Sequence, residues 1–340
     1  MRAFIEINGN QLEENYLALK EEAGKDVIAV IKSNAYGHGL IECARILAKN
    51  KAPMLAVATI EEAIAIRKSL IFTPILLLGP CLDYKILSSY KITALVLGES
   101  YLQKLLKSPF PIHVHIMVDM GMNREGLYIE QLDSAIEKIH KSKLQLKGIC
   151  THYSSLQQFE STQTDFQNLQ NKYSSLHLIY HASATSTYLL NQNKNCFSRI
   201  GLALYGLDTK HPPILSLKAP IIRKRFVHQD DKVGYDEVGI VPSDGYIYTI
   251  GLGYADGWPR FYHTIAYLGQ VKLEQIGRTC MDYLMLFSEE NIDEESILTI
   301  IGDKHTVIQI AEEQNTIPYE VTSRLSMRLK RKMIYIKQEK

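Results

Sequence analysis

The segment VIAVIKSNAYGHG, residues 27–39, decides the fold of this chain. Five apolar residues in a row end on Lys32, and a glycine-rich turn that contains Tyr36 follows them. A continuous apolar run, in contrast to an alternating one, is typical of a strand that is covered on both faces. The segment therefore predicts a buried parallel strand that ends on an amine.

Seven further runs of the same kind follow along the first two thirds of the chain. They end at Thr59, Gly79, Gly98, Asp119, His152, His181 and Gly206. Helical patterns lie between the runs, and eight strands that alternate with helices predict a (β/α)8 TIM-type barrel. A doubly wound sheet is the alternative, which eight evenly spaced units disfavour.

Two of the helical patterns are specific. The apolar residues Leu12, Tyr16 and Leu19 follow the i, i+4, i+7 spacing of one helix face. Thr59 and Glu62 form a T-x-x-E capping box, which predicts that a helix begins directly after Thr59.

The pattern changes after about Thr209, where short alternating strands are broken by Gly, Pro and Asp. We therefore predict an N-terminal barrel over residues 1–212 and a C-terminal β-rich domain over residues 213–340. The first strand, at about residues 1–9, is a candidate to pack with the second domain.

Composition excludes several classes of protein. The chain has 340 residues with 38 Lys and Arg against 37 Asp and Glu, so nothing indicates nucleic-acid binding. Apolar runs are far shorter than the roughly 18 residues of a membrane span, and the N-terminus has no signal-like core. Five scattered cysteines without CxxC spacing argue against disulfides and structural zinc. We expect a soluble cytoplasmic protein without a bound metal.

Reactive side chains stand at several of the predicted strand ends, where barrels place their active sites. They include Lys32, Arg124 and Arg199. A partly desolvated lysine has a lowered pKa and readily forms a Schiff base, although a rim lysine that extends into water is the alternative. Ser183 and Gly201 could supply donors to a phosphate. Together these residues suggest pyridoxal phosphate.

The sequence also resembles the alanine racemase family, in motifs that run along nearly the whole chain. The motifs are AVIKSNAYGHG at 29–39, VDMGMNREG at 118–126, THYSS at 151–155, RIGLALYGL at 199–207, KVGYDE at 232–237, LGYADGWPR at 252–260 and GRTCMD at 277–282. The resemblance implies pyridoxal 5'-phosphate as cofactor and the interconversion of L-alanine and D-alanine by two bases, which supplies D-alanine for peptidoglycan. It also implies a homodimer whose active sites are shared across the interface.

The resemblance assigns roles to individual residues. Lys32 would hold the cofactor and act as the base on one face, and Tyr235 would be the base on the opposite face. Arg199 would face the pyridine nitrogen of the cofactor; because a guanidinium keeps its proton, that nitrogen would stay unprotonated. Further cofactor-binding residues would be Tyr36, Ser183, Gly201 and Leu202 at the phosphate, and His152 near the ring with a link to Tyr235. The substrate side would be formed by Arg124, Met281, Asp282 and, at the entrance, Tyr254.

Three positions depart from the family pattern. Met117 stands where many members have a lysine that becomes carboxylated and steadies the arginine, so Arg124 would need another anion, either Glu125 or a bound chloride. Met327 stands where many members have a tyrosine that contacts the phosphate. The residues before the phosphate serine read HAS, at 181–183, where the family has ANS.

Other functions remain as alternatives. The same residues could racemise serine or several small amino acids. A decarboxylase of basic amino acids is disfavoured by the KVGYDE and CMD strings. A protein that binds pyridoxal phosphate without catalysis is the alternative of another class, but single-barrel carriers lack the second domain.

Overall fold

Eight parallel strands close into a barrel in the computed structural model, which describes residues 2–335. The strands are Val27–Val30, Leu55–Val57, Ile75–Leu77, Ile92–Val96, Ile112–Met117, Leu144–Cys150, Ile179–His181 and Cys196–Ile200. Every residue of Val27–Val30 and of Ile92–Val96 is buried, which explains their continuous apolar sequence. The predicted (β/α)8 barrel is confirmed, and the doubly wound alternative is excluded.

Helices precede or follow these strands along the chain. They are Gly9–Ala23, Leu40–Lys49, Ile60–Lys68, Tyr84–Ser89, Glu99–Leu105, Leu132–His140 and Leu156–Lys172, with short 3-10 turns at Ile129–Gln131, Ser174–Leu176, Tyr188–Leu190 and Leu202–Tyr205. Leu12, Tyr16 and Leu19 are fully buried on one face of their helix, as predicted. The capping box is also confirmed, because the Thr59 hydroxyl accepts from the Glu62 N–H and the Glu62 carboxylate accepts from the Thr59 N–H.

The eighth predicted strand was placed wrongly. The run IGLALYG, residues 200–206, was expected to be a strand, but the strand is Cys196–Ile200 and most of the run forms the 3-10 turn Leu202–Tyr205. Ala203, Leu204 and Tyr205 are fully buried in that turn. A short apolar run signals burial, and by itself it does not distinguish a strand from a buried helical turn.

A left-handed turn follows Lys32. The segment Lys32–Tyr36 has φ of +54° at all four residues 33–36. This conformation costs residues other than glycine roughly 1–2 kcal/mol each. Asn34 holds the turn, because its side-chain oxygen accepts from the Leu40 N–H at 2.8 Å and its own N–H donates to Glu62 at 3.0 Å. The turn fixes the direction in which the chain leaves the lysine.

The C-terminal part is built on an eight-stranded sheet. In spatial order its strands are Gly245–Ile250, Leu284–Ser288, Val271–Gln275, Ile265–Leu268, Ile297–Ile301, Leu215–Val227, Phe4–Asn8 and Lys330–Ile334. Leu215–Val227 also pairs with Gly245–Ile250, so that the first six strands form a closed ring. All pairs are antiparallel except Phe4–Asn8 with Lys330–Ile334. The predicted β-rich domain is confirmed as part of the fold class.

Smaller elements complete this part of the chain. They are the two-stranded ribbon Lys232–Val233 with Gly239–Ile240, the 3-10 turns Tyr235–Glu237 and Tyr254–Asp256, and the helices Val307–Glu313 and Pro318–Arg324.

The described chain divides into two compact units. The barrel unit comprises residues 12–35 and 40–204, and the sheet unit comprises residues 2–11, 36–39 and 205–335. The domain boundary at 212/213 stays a prediction, and residues 336–340 of the predicted second domain lie outside the described residues. None of the helices within residues 2–335 has the length and apolar character that a membrane crossing needs.

Candidate active site

Lys32 stands at the carboxyl end of the first barrel strand, directly after the buried residues 27–31. Its side chain is partly buried, and its amine makes no hydrogen bond to any residue of the described chain. Burial, and then the positive charge of Arg124, lower the pKa of Lys32. An amine in this state is suited to act as a nucleophile or as a base.

Arg199 is buried on the last barrel strand and is the centre of a hydrogen-bond cluster. Its Nη1 donates to Nδ1 of His181 at 2.6 Å and to the carbonyl of the same residue at 3.1 Å. Its Nη2 donates to the carbonyls of Thr151 at 2.7 Å and Ala182 at 3.0 Å, and lies 3.1 Å from Nδ1 of His152. The Nε–H has no partner within residues 2–335. Arg199 therefore keeps one donor for a ligand.

The arginine also fixes the protonation of its histidine neighbours. Since a guanidinium cannot accept a hydrogen bond, His181 and His152 accept at Nδ1 and carry their hydrogen on Nε2. Nε2 of His181 lies 2.8 Å from Nδ1 of His115, to which it donates. Burial, followed by the charge of Arg199, lowers the pKa of both His115 and His152 to about 3, and the same two causes lower the pKa of His181. All three imidazoles are neutral near pH 7, and Arg199 carries the positive charge of the cluster.

A glycine makes room for this cluster. A Cβ atom on Gly148 would lie 2.7 Å from Cε1 of His115 and 2.6 Å from the carbonyl of Ile179. Any side chain at this strand position would displace the imidazole, so the glycine belongs to the construction of the rim.

Two buried hydroxyls near Arg199 lack hydrogen-bond partners among the described residues. Ser183, whose carbonyl accepts from the Arg199 N–H at 2.8 Å, has an unpartnered Oγ. Thr185, which was not among the predicted site residues, has an unpartnered Oγ1 two residues further on. A buried hydroxyl without a partner is costly, so both of these groups are available to donate to a ligand that has acceptor oxygens. The signal that could have found Thr185 is a second hydroxyl in the turn that follows a barrel strand.

Gly201 and Leu202 follow Arg199 directly. The Leu204 N–H donates to the Gly201 carbonyl at 3.0 Å, which begins the 3-10 turn Leu202–Tyr205. The first N–H groups of such a turn have no partner within the turn and can face an anion.

The remaining barrel residue of the predicted site, Arg124, lies in the loop after the strand Ile112–Met117. Its guanidinium is half exposed and is paired with Glu125 at 2.6 Å. Met117 itself is buried.

Tyr36 belongs to the sheet unit, where its ring lies 5.2 Å from that of Tyr205 and 6.3 Å from that of Tyr319. Burial raises the pKa of Tyr36 to about 12, so its hydroxyl is a donor and does not act as a base.

Tyr235 stands in the sheet unit on the loop of the two-stranded ribbon. Its side chain is 67% exposed. The two residues after it, Asp236 and Glu237, have positive φ, and Asp236 forms an ion pair with Arg278. A strained and anchored loop of this kind is a common way to present a functional side chain.

Tyr254, Met281 and Asp282 lie on two neighbouring loops of the same unit. The Ala255 N–H donates to the Met281 carbonyl at 3.0 Å, and the exposed side chains of Tyr254 and Met281 stand beside this connection. The Asp282 carboxylate is paired with Arg328 at 2.5 Å. The structure thus brings Lys32, His152, Ser183 and Arg199 to one end of the barrel unit, and it joins the loops of Tyr254 and Met281 in the sheet unit.

The barrel rim carries a partly buried lysine and a buried arginine, and a β-rich unit follows the barrel along the chain. These features define a class of two-domain proteins that combine a (β/α)8 barrel with a β-rich unit. Residues 7–209 match the family described as alanine racemase, N-terminal domain, and residues 214–333 match alanine racemase, C-terminal domain. The chain belongs to the alanine racemase family.

Individual relatives agree with this assignment. The chain is 31% identical to an alanine racemase of Helicobacter pylori, over 97% of its own length and 98% of the relative's. It is also 31% identical to an amino-acid racemase of Enterococcus faecalis, over 96% of its own length and 51% of the relative's. Among solved structures, the alanine racemase of Clostridium difficile superposes with a TM-score of 0.90 at 27% identity, covering 98% of this chain and 96% of that one.

Proposed function

We propose that the chain interconverts L-alanine and D-alanine with pyridoxal phosphate as cofactor. The observation that carries the proposal is the buried Arg199, whose single remaining donor stands at the same barrel rim as the unpaired amine of Lys32. Membership of the family supports it. The five free cysteines are consistent with a reducing compartment, so we place the protein in the cytoplasm, where its D-alanine would supply peptidoglycan.

The residues present fit this cofactor. Lys32 would hold it, Arg199 would meet its ring nitrogen through Nε, and His152 would lie near the ring. Ser183 and Thr185 have buried hydroxyls without an acceptor among the described residues, and the oxygens of a phosphate would supply that acceptor. Tyr36, Gly201 and Leu202 would add donors to the phosphate. When bound, the cofactor supplies an electron sink that stabilises the negative charge developing on the α-carbon of the substrate.

Racemisation removes a proton from one face of the α-carbon and returns one to the other, so two bases are needed. Lys32 would serve one face through its amine, whose pKa is lowered by burial. Tyr235 would serve the other face. Because a phenol of pKa about 10 is a weak base near neutrality, its oxygen needs a donor that stabilises the deprotonated form. His152 can be this donor, since Arg199 occupies its Nδ1 and leaves the hydrogen on Nε2.

Arg199 controls which reaction follows. A guanidinium keeps its proton, so the ring nitrogen that accepts from Nε would stay unprotonated. By keeping its proton, Arg199 would thus weaken the electron sink that the cofactor supplies and disfavour protonation at any carbon other than the α-carbon.

We further propose a two-fold dimer in which Tyr235 completes the site of the partner subunit. Exposed apolar side chains surround the tyrosine on its ribbon, with Val238 exposed by 46% and Ile240 by 63%. A cluster of this kind is typical of a protein interface, and a two-fold axis makes the two sites equivalent.

The test is exchange of the α-proton in deuterated water, followed by NMR and chiral chromatography. L-Alanine should exchange and racemise, and Lys32→Ala should lose both together with the absorbance of bound cofactor. L-Serine is the second substrate to try, because the relative from Enterococcus faecalis is named for amino acids in general. Cofactor binding without exchange of any amino acid would favour the non-catalytic alternative.

A further inference from the structure

Arg124, the residue proposed to bind the substrate carboxylate, is held along one edge. Its Nε donates to Oε1 of Glu125 at 3.2 Å and its Nη2 donates to the same oxygen at 2.6 Å. Its Nη1 has no partner within the described residues. A guanidinium whose Nε edge is fixed by a carboxylate presents its remaining donors to a second anion.

The resemblance implies that in many family members a carboxylated lysine supplies the anion that holds this arginine. Residue 117, which stands at that position, cannot supply such an anion. Met117 is buried, and its sulfur lies 3.9 Å from the sulfur of Cys150. A thioether carries no charge and accepts hydrogen bonds weakly. The anion that holds Arg124 must therefore come from elsewhere.

The backbone of the loop explains why two adjacent side chains converge. The Asp119 carboxylate accepts from the N–H groups of Gly121 at 3.0 Å and Asn123 at 3.1 Å, and the Asp119 N–H donates to the Leu127 carbonyl at 2.9 Å. Asn123 and Gly126 have φ of +57° and +127°. Neighbouring side chains point apart in an extended strand, but this closed loop is not extended.

Glu125 also acts on the electrostatics of the rim. Burial is the main cause that lowers the pKa of Lys32 and of Arg199; the charge of Arg124 lowers both further, and the charge of Glu125 raises both. The carboxylate side chain is 25% exposed, so water screens it only in part. The pair thus places a cation near the substrate while limiting the excess of positive charge around the amine.

We propose that Glu125 is the positioning anion of Arg124, in place of the carboxylated lysine. The inference rests on the proposed function, and it makes a definite statement about this chain: substrate binding needs neither bicarbonate nor chloride, because the anion is part of the protein.

The experiment compares Glu125→Gln with Glu130→Gln, which removes an equal charge from an exposed position five residues away. The holoenzymes are assayed in buffers free of chloride and bicarbonate. Glu125→Gln should raise KM for alanine about tenfold, as for the loss of one charge-assisted hydrogen bond, with a smaller change in kcat. Calorimetric titration with propionate, a carboxylate without an amino group, should show a matching loss of affinity. Added chloride should restore part of the KM of Glu125→Gln and leave wild type unchanged.

Two results would overturn the inference. One is a KM and a propionate affinity in Glu125→Gln that equal those of Glu130→Gln. The other is a wild-type enzyme that needs chloride or bicarbonate for its normal KM. A wild-type protein without racemase activity would contradict the proposed function instead, and the propionate titrations would still decide the role of Glu125.

Discussion

At the scale of the residue, the buried guanidinium of Arg199 determines how the side chains around it are protonated. Its two Nη atoms are used by carbonyls and by Nδ1 of two histidines, so the direction of every hydrogen bond in the cluster is determined. In the proposed mechanism, the consequence would reach Tyr235 through the hydrogen on Nε2 of His152. Arg199, without being a base itself, would then decide whether the phenol of Tyr235 works as one.

The two proposed bases should be separable by mutation. Tyr235→Phe removes one base and leaves Lys32, so proton removal from one enantiomer should survive while racemisation fails. We expect exchange of the α-proton of D-alanine to be reduced far less than that of L-alanine, as measured by NMR in deuterated water. Equal losses for both enantiomers would remove Tyr235 from its role as the second base.

The neutral histidines predict how stability depends on pH. The pKa of His115 is about 3 in the folded chain and about 6.5 when unfolded, so the unfolded state binds more protons between these values. The free energy of unfolding should therefore fall as pH falls below about 6.5, by up to roughly 1.4 kcal/mol per pH unit for each such histidine.

Denaturant unfolding at one fixed protein concentration measures how steeply the free energy of unfolding changes with pH. The range from pH 8 to pH 5 is about that in which a free histidine titrates. His115→Gln keeps an acceptor for the His181 N–H and should make the slope shallower. His140→Gln changes an exposed histidine and should leave it unchanged. Identical slopes for wild type and His115→Gln would mean that His115 is not buried as a neutral group.

At the scale of the element, some features could be predicted from the sequence and others could not. The buried strands and the Thr59–Glu62 cap depend on residues that are close in sequence, so their sequence patterns were sufficient to predict them. The left-handed turn after Lys32 contains no glycine within residues 33–36, and it depends on a contact between Asn34 and Glu62, 28 residues away. Glu125 was one of two anions predicted for Arg124, but the choice between it and chloride depends on how the loop closes. The turn and the closed loop follow from contacts that no local pattern encodes.

The left-handed turn predicts that, at residue 33, a glycine variant should be more stable than a valine variant, the reverse of the order in an ordinary helix. Ser33 is exposed with φ of +54°, so Ser33→Gly should relieve strain, whereas Ser33→Val keeps the strain and adds a β-branched side chain; the two variants should differ in stability by at least roughly 1–2 kcal/mol. Ser161 is exposed in the right-handed helix Leu156–Lys172, where glycine should be the worse replacement. Thermal unfolding of the four variants tests this reversal. The same order of Gly and Val at both positions would contradict the turn.

At the scale of the whole molecule, the proposed bases lie in different units, Lys32 in the barrel unit and Tyr235 in the sheet unit. The family models match residues of both units, so the proposed pair of bases would need both parts of the chain. Which chain supplies each base to a given site can be decided by mixing inactive variants.

Lys32→Ala and Tyr235→Phe, mixed in equal amounts and allowed to exchange subunits, should recover activity. Random pairing gives about half mixed dimers, each with one site that carries both changes and one that carries neither. About one quarter of all sites would then be intact, and activity should approach that fraction of wild type. Mixed dimers that are visible by native mass spectrometry but no more active than the parents would place both bases of a site on one chain.

The ribbon that carries Tyr235 shares no strand pairing with the closed ring of the sheet unit, although its Val233 packs in a buried apolar cluster with Val227 and Ile247 of the ring strands. It consists of two pairs, Lys232 with Ile240 and Val233 with Gly239, and isolated two-stranded pairs of this kind have little stability of their own. Its amide hydrogens should therefore exchange with solvent through local opening, long before those of the ring strands. If dimer formation orders this ribbon, dilution should speed its exchange while the ring strands stay protected. Hydrogen–deuterium exchange with mass spectrometry at two protein concentrations would test this. Protection of residues 232–240 and catalytic activity should then decline together on dilution. The enzyme concentration itself would control what fraction of the enzyme is active.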